Sequence, residues 1–100
     1  MPLFVLSMVR VRFFTLLRLE LGIRGVELQI EGKKQLIDIL NMAESNSPKP
    51  FLHKLIDENN NLLSSTIILV NGKNVHHLDG LKTMIKDGDE IDIFPPGGGG

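Results

Sequence analysis

The chain has 100 residues, enough for one domain and too few for two well-formed cores. It contains no cysteine, which excludes a disulfide framework, a thiolate metal site and any chemistry run from a thiol side chain. Net charge is −1, from 11 Lys and Arg against 12 Asp and Glu, so the basic excess of a nucleic-acid binder is missing.

Hydrophobic residues make up 42% and charged residues 23%, an ordinary globular mixture. The aromatics are five Phe without Trp or Tyr, which leaves little for base stacking. The opening MPLFVLS is apolar but lacks the basic and extended apolar regions of a signal peptide, and no run approaches a membrane span. A cytoplasmic location with no membrane partner is expected. Residues 1–7 read as an extension ahead of the domain.

From Val9 to Leu16 the chain alternates, with Val9, Val11, Phe13 and Thr15 on one face and Arg10, Arg12, Phe14 and Leu16 on the other. Period 2 predicts a strand with one buried face. A turn or short helix carrying Arg18, Glu20, Gly22 and Gly25 follows, and then Val26, Leu28 and Ile30 alternate again until Gly32 ends the strand. Together they predict an antiparallel hairpin with a long connection.

Lys34, Asp38, Asn41 and Ser45 then recur at helical spacing opposite Leu36, Ile37, Leu40 and Ala43, which predicts an amphipathic helix packed on the sheet. Asn46-Ser47-Pro48 breaks it. Pro48 and Pro50, placed for a first turn, with Phe51, Leu52, Leu55 and Ile56 predict a second, shorter helix. Asn59-Asn60-Asn61 marks a turn.

Thr66–Val70 is β-rich, and Asn71-Gly72 is a tight-hairpin dipeptide because both residues tolerate positive φ. Lys73–Val75 reads as the return strand. After the turn Asp87-Gly88-Asp89, Glu90–Phe94 alternates with Ile91 and Ile93 inward, and Pro95-Pro96 ends the ladder by removing two N–H donors. A last strand lying parallel beside the first gives an α+β domain. It is a β-grasp mixed sheet of about four to five strands on one main helix, spanning residues 8–96.

Enzyme chemistry finds no footing in this pattern. His76 and His77 are adjacent, so on a strand they point to opposite faces; with His53 they read as exposed loop histidines, and no metal site is expected. Asp87 and Asp89 read as turn residues around Gly88. Gly22 and Gly25 fit no phosphate-binding spacing.

The unusual feature is the end, Phe94-Pro95-Pro96-Gly97-Gly98-Gly99-Gly100. Two prolines stiffen the exit, and four residues without side chains lead to an unhindered carboxylate. Residues 97–100 are expected to be a flexible tail able to thread into another protein's active site. An inert glycine end is the plain alternative.

The segments MVRVRFFTLLRLELG, VNGKNV and LKTMIKDGDEIDIFPPGGGG resemble the small sulfur-carrier subunit of molybdopterin synthase, a β-grasp family akin to ubiquitin and to the thiamine-pathway sulfur carrier. The resemblance runs from about Met8 to Gly100 and is weak through residues 44–64. Gly97 and Gly98 depart from the more varied residues usual before the final glycine pair.

That resemblance implies a function. A partner adenylyltransferase, related to ubiquitin-activating enzymes, uses ATP and Mg to adenylate the Gly100 carboxylate. A sulfur donor then displaces AMP to leave a thiocarboxylate. The large synthase subunit receives the tail, and sulfur passes to a pterin precursor on the way to a molybdenum or tungsten cofactor. The carrier itself binds no cofactor. Phe14 and Phe94 match positions that contact the activating enzyme, and with Arg18, Pro95 and Pro96 they are the expected partner-binding residues. Gly97, Gly98 and Gly99 form the tail behind the reacting Gly100. Arg10 and Arg12 are candidates for charge complementarity. A protein modifier, or a carrier for thiamine synthesis or tRNA thiolation, fits the same tail, and a plain interaction domain is the third reading.

Overall fold

A computed structural model describes residues 7–97. Strand β1 (Ser7–Phe13) leads through helix α1 (Thr15–Leu21) to β2 (Gly25–Ile30). A short β3 (Lys34–Gln35) runs straight into α2 (Leu36–Ser45), and then come β4 (Ile67–Val70), β5 (Lys73–Asn74), β6 (Met84–Ile85) and β7 (Glu90–Phe94). Among the described residues the main sheet has five strands in the order β2-β1-β7-β4-β5, a mixed β-grasp sheet.

The expected central pairing forms. β7 lies parallel to β1, with Val11 opposite Ile91 and Phe13 opposite Ile93. β2 flanks β1 antiparallel on one side, and β4 flanks β7 antiparallel on the other. Alternation decides which side chains go inward: Val9, Val11, Phe13, Leu28, Ile30, Ile68, Ile91 and Ile93 are all buried. They meet Leu36, Ile39, Leu40 and Ala43 of α2 and Leu17 and Leu21 of α1. Phe13 and Phe51 meet edge to face, with ring centroids 5.2 Å apart.

Several expectations change on contact with the fold. β1 stops at Phe13, and Thr15 and Leu16, expected to extend it, open α1 instead. The reason is packing: Leu17 and Leu21, four apart, drop into the core only from a helix. Lys34 sits on β3 rather than on the helix, and Ile39 rather than the half-buried Ile37 completes the inner stripe of α2. The second helix reduces to a 3₁₀ turn at Leu52–Lys54, with Pro48 and Pro50 outside it. Glu44 accepts hydrogen bonds from the N–H groups of Phe51 and Leu52 at 2.8 and 2.7 Å and so anchors the start of this turn.

The return strand ends at Asn74, and Val75 to His77 form a 3₁₀ turn, so the adjacent histidines lie on a turn and not on a strand. A two-stranded pairing of β3 with β6 was not expected at all. The Asn71-Gly72 hairpin holds: φ is 51° at Asn71 and 86° at Gly72.

Candidate functional site

Parallel strands end at the same edge of a sheet, so the pairing of β1 with β7 brings Phe94 beside Phe14. The N–H of Phe14 donates to the carbonyl of Ile93 at 3.0 Å, carrying the ladder one residue beyond β1. Both side chains leave the face away from the core. There the two rings stack, centroids 4.6 Å apart and planes 14° from parallel. These phenylalanines, expected from the resemblance to bind a partner, are half-buried, because each covers a face of the other.

Two arginines complete the cluster. The Arg18 guanidinium carbon lies 4.9 Å from the Phe14 centroid and that of Arg12 lies 5.3 Å from it. Arg18 also donates from Nε to the Phe13 carbonyl at 2.8 Å, so its position is fixed from two sides. Arg12 is held by a bidentate pair with Asp92, Nε to Oδ1 at 2.7 Å and Nη2 to Oδ2 at 2.9 Å, and reaches Glu90 at 2.8 Å. The hydrogen bonds to Asp92 set the Arg12 pKa above its ordinary value. Arg10 pairs with Glu27 at 3.2 Å. Arg10 and Arg12, candidates for charge complementarity, are therefore already partnered within the sheet.

One neighbour escaped the sequence reading. Ile67 stands directly opposite Phe94 on β4 and is 42% exposed, so it extends the apolar face. The signal was available in Thr66–Val70: if Ile68 and Val70 point inward, Ile67 and Leu69 must point out.

Immediately after Phe94, Pro95 and Pro96 are half-buried rather than projecting freely. They line a groove of about 150 Å³ with Leu16, Leu17, Glu20 and Lys54. Gly97 follows, exposed, with open space around it. Gly98, Gly99 and Gly100 lie outside the described residues. The sheet thus carries the chain's end to one edge, where a stacked aromatic pair and a proline-lined groove flank the start of the glycine run.

His76 and the Asp87–Asp89 turn, weighed in the sequence as possible chemistry, have structural partners in the described residues. His76 Nε2 lies 2.9 Å from the Thr66 carbonyl, and the His76 backbone N–H donates to Asn74 Oδ1. Among the described residues no three His, Asp or Glu side chains group closely enough to hold a metal ion. No described helix is long and apolar enough to cross a membrane. Asp87 and Asp89 serve the turn, Asp87 accepting from the Met8 N–H at 2.7 Å.

A small β-grasp domain whose last strand runs out beside its first into a glycine tail has the architecture of ubiquitin-like carriers and modifiers. The chain belongs to the ThiS family, which it matches over residues 11–100. It is 32% identical over 83 residues to an Archaeoglobus fulgidus protein that bears the provisional name sulfur carrier protein, covering 83% of this chain and 94% of that one. It is 30% identical over 89 residues to small archaeal modifier protein 3 of Haloferax volcanii, covering 89% and 95%. The solution structure of small archaeal modifier protein 1 from Methanosarcina acetivorans superposes with a TM-score of 0.70 at 37% identity, covering 96% of this chain and 99% of that one. The protein is a ubiquitin-like member of the sulfur carrier and modifier class.

Proposed function

We propose that this protein carries sulfur on its C-terminal glycine as the small subunit of a molybdopterin synthase. A partner adenylyltransferase joins the Gly100 carboxylate to AMP from ATP, with Mg, and a sulfur donor converts the acyl-adenylate to a thiocarboxylate. Adenylation is needed because a carboxylate is a poor electrophile, whereas the mixed anhydride has AMP as leaving group. The chain supplies no base, metal or oxyanion hole; it supplies an unhindered carboxylate on a tail that fits a narrow channel. The reading assigns 7–96 to the folded domain, since Ser7, expected to belong to the extension, already pairs with Ile30 in β1, with 97–100 as the working tail and 1–6 as an extension, in a protein of the cytoplasm.

The observation that carries this reading is the placement of Phe14, Phe94 and Ile67 at the root of the tail. A half-buried aromatic pair braced by Arg18 is the kind of rigid anchor that interfaces use. A partner seated there would hold the tail root while the glycines enter its active site. The choice of the molybdopterin pathway rests on the sequence segments at both ends of the chain. Intact mass of the chain after incubation with ATP, Mg, the activating enzyme and a sulfur donor tests the reading. Exchange of one oxygen for sulfur at Gly100 is expected, and an unchanged mass with a competent enzyme overturns it.

The second reading is a protein modifier, favoured by the relatives named as archaeal modifiers. It requires isopeptide adducts of Gly100 on lysines of other proteins.

A further inference from the structure

The chain contains four arginines, Arg10, Arg12, Arg18 and Arg24, and all four line one cleft of about 300 Å³. The rest of its 11 Lys and Arg residues are lysines, and none of them lines it. The fold gathers the arginines from three places: Arg10 and Arg12 on the outer face of β1, Arg18 on α1, and Arg24 just ahead of β2. Gly25 stands opposite Arg12 in the β1–β2 register and puts no side chain into the gap. The Arg24 carbonyl accepts from the Phe13 N–H at 2.8 Å, which pins this corner to the end of β1.

Carboxylates answer only part of this charge. Glu27, the one acid in the lining, pairs with Arg10 at 3.2 Å, and their side chains are 62% and 57% exposed, so the contact is weak. Arg12 is held by Asp92 and Glu90, which approach from β7. Among the described residues Arg18 and Arg24 pair with no carboxylate. Arg18 spends its Nε on the Phe13 carbonyl, which fixes the guanidinium and leaves its two Nη groups to face the cleft.

We infer that this cleft binds the phosphate group of a small phosphorylated ligand, gripped by Arg18 and Arg24 with Arg10 and Arg12 at its rim. Two uncompensated guanidinium charges match one phosphate monoester, which carries about −1.5 to −2 at neutral pH. The guanidinium fork presents paired N–H donors to two oxygens at once, which an ammonium does not, and that explains why arginine and not lysine gathers here. The volume lies at the small end of ligand sites and leaves room beside the phosphate for the group that bears it. The site is separate from the chemistry proposed for Gly100 and needs no activation of the chain end.

Titration of the full chain with inorganic phosphate and with phenyl phosphate, followed by backbone amide shifts, tests the inference. Saturable shifts confined to Arg12, Arg18, Arg24, Gly25 and their chain neighbours are expected, and the tighter of the two probes tells free phosphate from an ester. Arg24→Gln should weaken binding by about tenfold, the loss for one charge-assisted hydrogen bond, with an unchanged thermal midpoint. Arg24→Lys, which keeps the charge but loses the fork, should fall between the two. Lys73→Gln removes the same charge on β5, at the far edge of the sheet from β2, and should alter affinity by less than about twofold. Shifts that do not saturate, or a loss in Lys73→Gln equal to that in Arg24→Gln, would reduce the effect to diffuse attraction and overturn the inference. Tighter binding of a tri-aspartate peptide than of either phosphate would overturn it too, by assigning the cleft to acidic protein segments.

Discussion

Asn71 and Asp89 lock two turns together: the Asn71 amide donates to Asp89 Oδ1 at 2.8 Å, while its own oxygen accepts from the Glu90 N–H at 2.9 Å. The Asn71 N–H closes the set by donating to the Glu90 carbonyl at 2.9 Å. Asp89 is only 4% exposed and also accepts from the N–H and the ammonium of Lys86, both at 2.9 Å. The β4–β5 hairpin is thereby tied to the turn that launches β7, the strand that delivers the tail.

Burial pushes the Asp89 carboxyl up, but the hydrogen bonds from Lys86 and Asn71 outweigh it and set its pKa below the ordinary 3.8. A carboxyl with a depressed folded pKa stabilises the fold above its unfolded value and ceases to as pH falls through its folded value. Stability should thus be insensitive to Asp89 above about pH 5 and decline as the solution is acidified below 3.8. Asp89→Asn should cost about 1–3 kcal/mol near neutral pH, since buried donors lose a charged acceptor, and should flatten this acid limb. Urea unfolding of both proteins across the acid range measures it.

Gly25 opens β2 where the sheet allows no side chain. A Cβ there would sit 2.2 Å from the Val11 carbonyl oxygen and 3.0 Å from the Arg12 Cα, both backbone atoms. Gly25→Ala must push β2 away from β1. A loss of about 1–3 kcal/mol is expected, the range for overpacking against rigid neighbours. A denaturation midpoint equal to that of the parent would show that the strands part freely.

Thr15 turns the chain from β1 into α1 with φ at 53°, a left-handed conformation that is costly for a β-branched residue. Thr15→Gly should raise stability by about 1 kcal/mol by relieving it. Loss of affinity for the activating enzyme in the stabilised variant would indicate that this turn also sets the pose of Phe14.

The sheet was legible in the sequence because alternation is a property of consecutive residues: Val9 to Phe13 and Glu90 to Phe94 show which faces meet without reference to anything else. The same rule overran at Thr15 and Leu16, whose alternation continued by chance into a helix that Leu17 and Leu21 require. Two-residue strands such as β3 and β6 are too short to carry a period. Gly25 and Asp89 act through long-range neighbours, Val11 and Asn71, that local pattern cannot name. Of the site, Phe14 and Phe94 were readable as the apolar residues on the polar face. The groove was not, since Leu16, Glu20 and Lys54 reach Pro95 only through the fold.

Phe14→Asp or Phe94→Asp should weaken docking to the activating enzyme by about 2 kcal/mol or more, because a carboxylate replaces half of a stacked apolar anchor. The fold should survive, since neither ring is part of the buried core and the stack itself contributes about 0.5–1.5 kcal/mol. Calorimetric titration with the enzyme and thermal unfolding separate the two effects. Unfolding of either variant at ambient temperature would assign the ring to the core instead.

Deleting Gly99 and Gly100 should leave the domain's stability unchanged, because the last strand ends at Phe94 and, among the described residues, the core holds none beyond Ile93. Adenylation and sulfur loading should nevertheless be lost. The new terminal carboxylate would fall two residues, up to about 7 Å, short of the partner's reactive centre, and proximity of the reacting atoms is what such a site supplies. Gly100→Leu should have nearly the same effect by crowding the channel, whereas Gly97→Ala, placed in open space at the tail root, should be mild. Pyrophosphate release with the activating enzyme reads the first step, and intact mass reads the second. A truncated chain that is adenylated and sulfurated at the parent rate would mean that the tail is not the working group.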